Sequence, residues 1–167
     1  MARRTLLGWR CSSCGELITR IEDGWVEWLA SDDEQGTTNL RSLRLVHRWI
    51  VDSGSSARRH CRFDDRREFQ KDRSIVEGLS LERFVGPDGL MLLLSFVADG
   101  EMPTDDILEL TKRVQIPGYE QVRELIHDAS TAGVIAPVIA DRYYIQSEIQ
   151  ELLRWEVEEI RPGNPAA

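Results

Sequence analysis

Cys11-Ser12-Ser13-Cys14-Gly15 is the segment whose residue types and spacing speak most directly of chemistry. Two cysteines separated by two residues can aim both sulfurs at one tetrahedral ion, and the glycine behind them tolerates the tight turn of such a knuckle. Only one further cysteine, Cys61, is available, so a four-coordinate site needs a nitrogen to complete it. Two histidines compete for that place. His60 adjoins Cys61, and neighbouring side chains of an extended chain face opposite ways, which makes joint ligation awkward. His47 ends a strand-like run on the face of Leu43 and Leu45, where a hairpin could fold back over the knuckle. The favoured set is Cys11, Cys14, His47 and Cys61, with His60 as the alternative nitrogen. Four protein ligands would close the shell of a structural ion and leave no open catalytic position.

The stretch Trp9-Arg10-Cys11-Ser12-Ser13-Cys14-Gly15-Glu16-Leu17-Ile18 resembles the zinc knuckle of zinc-ribbon proteins, and the resemblance implies a structural zinc. It covers these residues alone: zinc ribbons usually carry a second CxxC, and this chain does not. The competing readings are a redox dithiol and three unrelated thiols. A thioredoxin-like motif should open a helix behind a strand, whereas Gly15-Glu16-Leu17-Ile18 reads as a turn into a strand. Energetics favour the ion as well, because a β-rich segment of about 55 residues buries little surface and a bound metal commonly compensates.

The elements that must position these residues follow from periodicity. Residues 7–63 read as β and loop. Asp23-Gly24 is a turn signal ahead of Trp25-Val26-Glu27-Trp28-Leu29, a run of strand formers. Residues 31–39 are polar and read as a loop. Leu43, Leu45, His47 and Trp49 then alternate with Arg44, Val46, Arg48 and Ile50, a second strand with one apolar face. Residues 52–57 predict a flexible Gly/Ser loop, and residues 62–73 a charged, solvated bridge with room for a short helix.

Beyond Leu79 the period becomes helical. Pro87-Asp88-Gly89 opens a very apolar helix over 89–98, stopped by Asp99-Gly100. Thr104 caps a second helix, with Asp105 and Asp106 in its positive first turn. Ile116-Pro117-Gly118 breaks it, and a third helix is predicted over 119–132, stopped by Gly133. Val134-Ile135 and Arg142-Tyr143-Tyr144-Ile145 could pair as a hairpin, and an acidic amphipathic helix containing Ile149, Leu152, Leu153, Glu156 and Ile160 closes the chain. This order of helices followed by a hairpin resembles a winged helix-turn-helix over about sixty residues. The expected organisation is α+β: a zinc-ribbon-like β module with a charged linker (1–78), a helical, winged-helix-like domain (79–160) and a frayed tail (161–167).

Charge separates the same two regions. The chain of 167 residues carries a formal charge of -8, yet residues 1–78 balance at +1 and residues 79–167 hold -9. All three cysteines and four of the five tryptophans fall in the first part. Acidity disfavours non-specific nucleic-acid binding, which draws its affinity from neutralising phosphates. In the third predicted helix Gln121 and Arg123 could read base edges, but Glu120, Glu124 and Asp128 would repel the backbone. The cluster Arg58, Arg59, Arg62, Arg66 and Arg67 is interleaved with Asp64, Asp65 and Glu68, which reads as a solvated, internally paired face.

No apolar run is long enough to cross a bilayer, and no export signal follows Arg3 and Arg4, so a cytoplasmic location is expected. No phosphate-cradling glycine loop, GxSxG elbow or HExxH is present, and no enzyme is expected. The sequence therefore points to a zinc-stabilised protein-interaction module or adaptor, with a DNA-binding winged-helix regulator as the alternative. Trp155, among Glu151, Glu156, Glu158 and Glu159, is the candidate partner or homo-oligomer contact. The blander expectation is that it closes the edge of a bundle.

Overall fold

The computed structural model describes residues 8–53, 57–136 and 138–159. Ile160, the anticipated tail and the tip of the 52–57 loop lie outside them, as do the side chains of Arg58, Arg59, Glu156, Glu158 and Glu159. Strands and helices are both present, which fits an α+β chain. Among the described residues, no helix is long and apolar enough to cross a membrane. The chain divides into two compact units between Gln115 and Ile116.

The first unit is built on a hairpin of β3 (Gly24–Asp32) and β4 (Thr38–His47). Both strands run further than the polar composition of residues 31–39 suggests. Asp33 explains this: its Oδ1 accepts the backbone N–H groups of Gln35 (2.9 Å) and Thr37 (2.8 Å), folding the connection into a tight turn. Antiparallel pairing sets Gly24 opposite His47 and Glu27 opposite Arg44, with a register shift between Glu27 and Leu29. A third strand, β7 (Ile75–Ser80), pairs with the other edge of β3 and gives the order β4-β3-β7. Gly78 of β7 is required by packing, because a Cβ there would lie 2.5 Å from the Trp25 indole nitrogen.

Smaller elements surround this sheet. β1 (Trp9–Arg10) pairs with β2 (Leu17–Ile18). β5 (Val51–Ser53) pairs with β6 (Ala57–Arg59), so the segment expected to be only a flexible loop carries a short ladder. The charged bridge contains α1 (Asp65–Asp72), capped by the Asp64 carboxylate on the Arg67 N–H.

Helices α2 (Gly86–Asp99) and α3 (Thr104–Gln115) belong to this unit. Leu93, Ile107 and Leu110 share one buried core with Val26, Trp28, Leu45, Val46 and Phe84. The compositional step at 78/79 thus falls inside β7, and the contact boundary lies after α3. Composition tracks the acidity of the helices, whereas contacts track their apolar faces, and those face the sheet. Thr104, expected as a cap, is the first residue of α3 itself.

The second unit holds α4 (Tyr119–Val122), α5 (Ile126–Thr131) and α6 (Gln146–Glu159). The single helix expected over 119–132 is two short ones, although no proline or glycine separates them. The anticipated hairpin is also absent: among the described residues of 134–145 there is no strand. Backbone N–H groups that a ladder would have used go elsewhere. Buried Glu148 accepts those of Val138 (3.2 Å) and Ile145 (2.8 Å), the second as in half of a capping box at the start of α6. Tyr119, Val122, Ala129, Ile135, Ile149 and Leu152 form the core, and Trp155 packs partly buried against it.

Candidate metal centre

The knuckle is shaped by its own short hairpin. Between β1 and β2, Cys11 N–H donates to the Glu16 carbonyl (2.9 Å) and Gly15 N–H to the Cys11 carbonyl (2.9 Å). Gly15 sits at φ 77°, in the left-handed region that a glycine enters without a Cβ penalty. The Ser13 N–H points at the Cys11 sulfur (3.4 Å). Two outside contacts fix the knuckle in place: Ser12 N–H donates to the Leu45 carbonyl of β4 (2.8 Å), and Arg113 of α3 donates to Ser12 Oγ (3.1 Å) and to the Arg10 carbonyl.

His47 reaches the same point from the last position of β4 and is buried. Its Nδ1 lies 3.5 Å from Cys14 Sγ and 3.7 Å from Cys61 Sγ, while Nε2 lies 3.3 Å from the Leu17 carbonyl. A carbonyl can only accept, so Nε2 carries a proton, and in the neutral ring the Nδ1 lone pair faces the sulfurs. That is the usual way an outer partner sets the tautomer of a metal-bound imidazole. The ligand atoms of Cys11, Cys14, His47 and Cys61 all lie within 4.8 Å of one another. Zinc-like bond lengths on a tetrahedron give S···N edges of about 3.6 Å, so the two observed sulfur–nitrogen distances already suit such an ion. His60 is exposed and outside the cluster.

The thiols are unequal. Burial pushes Cys11 up, but N–H donors of Cys14, Ser13 and His47 outweigh it and hold this thiol at about 7. Cys14 is raised by burial above all, against a lowering contact from the Glu16 backbone. Burial pushes Cys61 up to about 12, and the nearby charge of Cys11 adds to that. Three thiolates this close repel one another, and a divalent ion between them relieves that repulsion. Three soft sulfurs and one imidazole suit zinc among the first-row metals.

Cys61 lies outside any strand or helix and is held through its backbone. Its carbonyl accepts from Arg44 Nη2 (3.1 Å). Arg44 donates through Nε (2.9 Å) and Nη2 (2.7 Å) to Oε1 of Glu27, a fully buried carboxylate. That same oxygen accepts the Phe63 N–H at 2.9 Å, and the Arg44 guanidinium stacks 3.4 Å over the Phe63 ring.

Glu27, Arg44 and Arg113 are the supporting residues that sequence reasoning missed. For the first a signal existed. Strand alternation places Glu27 on one face with Trp25 and Leu29, where a lone carboxylate must find a cation. Arg113 is separated from Arg10 by most of the unit and gave no local signal.

Comparison of the chain with family models, with curated proteins and with solved structures returns no match.

Proposed function

We propose that this chain is a zinc-stabilised protein-interaction module and has no catalytic role of its own. The observation that carries the reading is the exposed apolar face of α2. From residue 89 to residue 98 the helix has no charged residue. Met91 is 66% exposed, Leu94 50%, Leu90 37% and Val97 36%, while Leu93 faces the core. Positions 90, 91, 94 and 97 lie along one side of a helix, the pattern by which an amphipathic partner is gripped. A contiguous apolar stripe of this kind on a folded surface marks a contact site.

Exposed Asp88 and Asp99 bracket the stripe. A second copy laid antiparallel would bring Asp88 against Asp99, and a parallel one would set like against like, so self-association is opposed by charge at both ends. The fitting partner is a protein segment with an apolar stripe and basic flanks. Trp155, the earlier candidate contact, is used in packing its own unit. In this reading zinc, held by Cys11, Cys14, His47 and Cys61, stabilises the sheet that presents α2, and the four ligands close its coordination shell.

The test has two arms. Metal analysis of the purified chain should find one zinc, lost in Cys14→Ser; full occupancy in His47→Ala would remove the ligand assignment. Partners captured by the wild type, identified and then rebuilt from purified components, should fail to bind Met91→Glu/Leu94→Glu. Equal binding by that variant, folded and zinc-loaded, would remove the α2 face from the proposal.

A further inference from the structure

The two halves of the ligand set are positioned by different means. Cys11 and Cys14 are fixed within a few residues by their own turn and the β1–β2 pairing. Cys61 lies between the β5–β6 ladder and the α1 cap, outside any strand or helix, and its carbonyl is held from across the sheet by Arg44. Glu27 and Arg44 face each other in the β3–β4 register. Arg44 reaches out to hold the Cys61 carbonyl, and Glu27 Oε1 holds the N–H two residues later, at Phe63. The backbone that leaves Cys61 is thus held on both sides of Arg62 by one pair, a fully buried carboxylate and a half-buried guanidinium.

We infer that the Glu27–Arg44 pair is the positioning device for Cys61, and that it sets how tightly the metal is retained. This rests on the metal reading of the cluster. Oε1 of Glu27 receives three donors: Arg44 Nε, Arg44 Nη2 and the Phe63 N–H. Among the described residues its Oε2 is buried without a hydrogen bond, and the Arg62 guanidinium lies 3.6 Å from it. Leaving a carboxylate oxygen buried in that state is costly, and a charge is tolerated there because it orders the loop. Outer contacts of this kind typically govern metal affinity by about 10- to 100-fold. Weakening the pair therefore opens the shell at Cys61 first and leaves the knuckle sulfurs in place.

The experiment uses the full chain loaded with zinc. Zinc transfer to a chelator is timed while a thiol alkylating reagent is present, and mass spectrometry assigns the order in which the cysteines are modified. In Glu27→Gln, transfer should accelerate about 10-fold or more, with Cys61 alkylated ahead of Cys11 and Cys14. Glu77→Gln is the control: Glu77 sits on the neighbouring strand, accepts from the Trp28 indole (2.9 Å) and should leave both readouts unchanged. A folded Glu27→Gln with wild-type transfer, or with all three cysteines modified at one rate, overturns the positioning role. Should that variant not fold, Glu27→Met/Arg44→Met replaces the pair by apolar groups, a change buried pairs often tolerate. It must show the same Cys61-first order, and wild-type behaviour in it overturns the role equally. A wild type that takes up no zinc overturns the metal reading, and this role with it; a zinc-loaded wild type with unselective variants overturns the positioning role alone.

Discussion

In the first unit Cys11 and Cys61 are members of the same buried core as Val26, Leu45, Phe84 and Leu93, so ligand atoms and apolar packing form one body. The second unit closes a core of Tyr119, Val122, Ala129, Ile135, Ile149 and Leu152 with no ligand set among its described residues. Both units are small, and small units bury a limited share of their surface. The first adds a cluster of four potential metal ligands and the Glu27–Arg44 ion pair to its core. The second depends on the fit of a few side chains between short helices. The two should therefore fail under different insults, and each of the following tests separates them.

The largest effect expected is metal removal, or Cys14→Ser, in the first unit. Structural zinc is folding free energy where the site does not exist in the unfolded chain, and loss on the order of 5 kcal/mol is expected. Peptide-resolved hydrogen exchange should show protection falling in β3, β4 and β7 while α6 keeps its rates. Equal loss in both units, or none in either, would break the contrast.

Next comes Leu152→Ala, a fully buried residue of α6. Deleting its methyl groups should cost about 2–5 kcal/mol, which is a large fraction of what a unit this size possesses. Exchange should quicken across α4–α6 with zinc content unchanged. Zinc loss in this variant would mean that the units share one cooperative transition.

How much of this was legible in the sequence differs between the same two regions. The knuckle was readable because two sulfurs at fixed spacing and Gly15 act within a few residues. His47 was readable because alternation through Leu43 and Leu45 fixes its face, and a one-residue slip would have reversed it. What stayed hidden is long-range. Strand β7 is short and has Gly78 in its middle, and its pairing with β3 depends on the Trp25 ring lying over that glycine. The clamp of Arg113 on the Arg10 carbonyl joins residues 103 positions apart. In the second unit, strand formers at 134–135 and 142–145 suggested a wing. Their neighbourhood instead satisfies backbone donors with the Glu148 carboxylate, a competition that propensity does not register.

A smaller effect tests backbone strain in the second unit. Gly118 precedes α4 at φ 82°, and a Cβ there would sit 2.9 Å from Ile149 Cγ2. Gly118→Ala should cost about 1–2 kcal/mol from the left-handed conformation, with the Ile149 contact adding to it. The change should lower the unfolding midpoint of α4–α6 and leave zinc transfer from the first unit at its wild-type rate. A neutral result would show that α4 re-forms with a different entry angle.

The smallest effect is expected at the rim of the first unit, where pH supplies the lever. The Asp72 carboxyl is held below its ordinary value of 3.8, chiefly by the Ser74 hydroxyl at 2.6 Å and further by the Ser74 N–H and Arg41. A carboxyl whose folded value is depressed contributes stability that is present in full above its unfolded value and is lost as pH falls through the folded one. Asp72→Asn should therefore melt below the wild type at pH 6, and the gap should close as pH drops beneath about 4. Acid also protonates thiolate ligands and releases metal, so the quantity to follow is the difference between the two proteins at each pH. The group is at the surface, where salt screens such interactions, and added salt should shrink its Arg41 component while sparing the short bond to Ser74. A gap that persists unchanged to pH 3 would assign the loss to packing of the α1–β7 corner instead of to the charge.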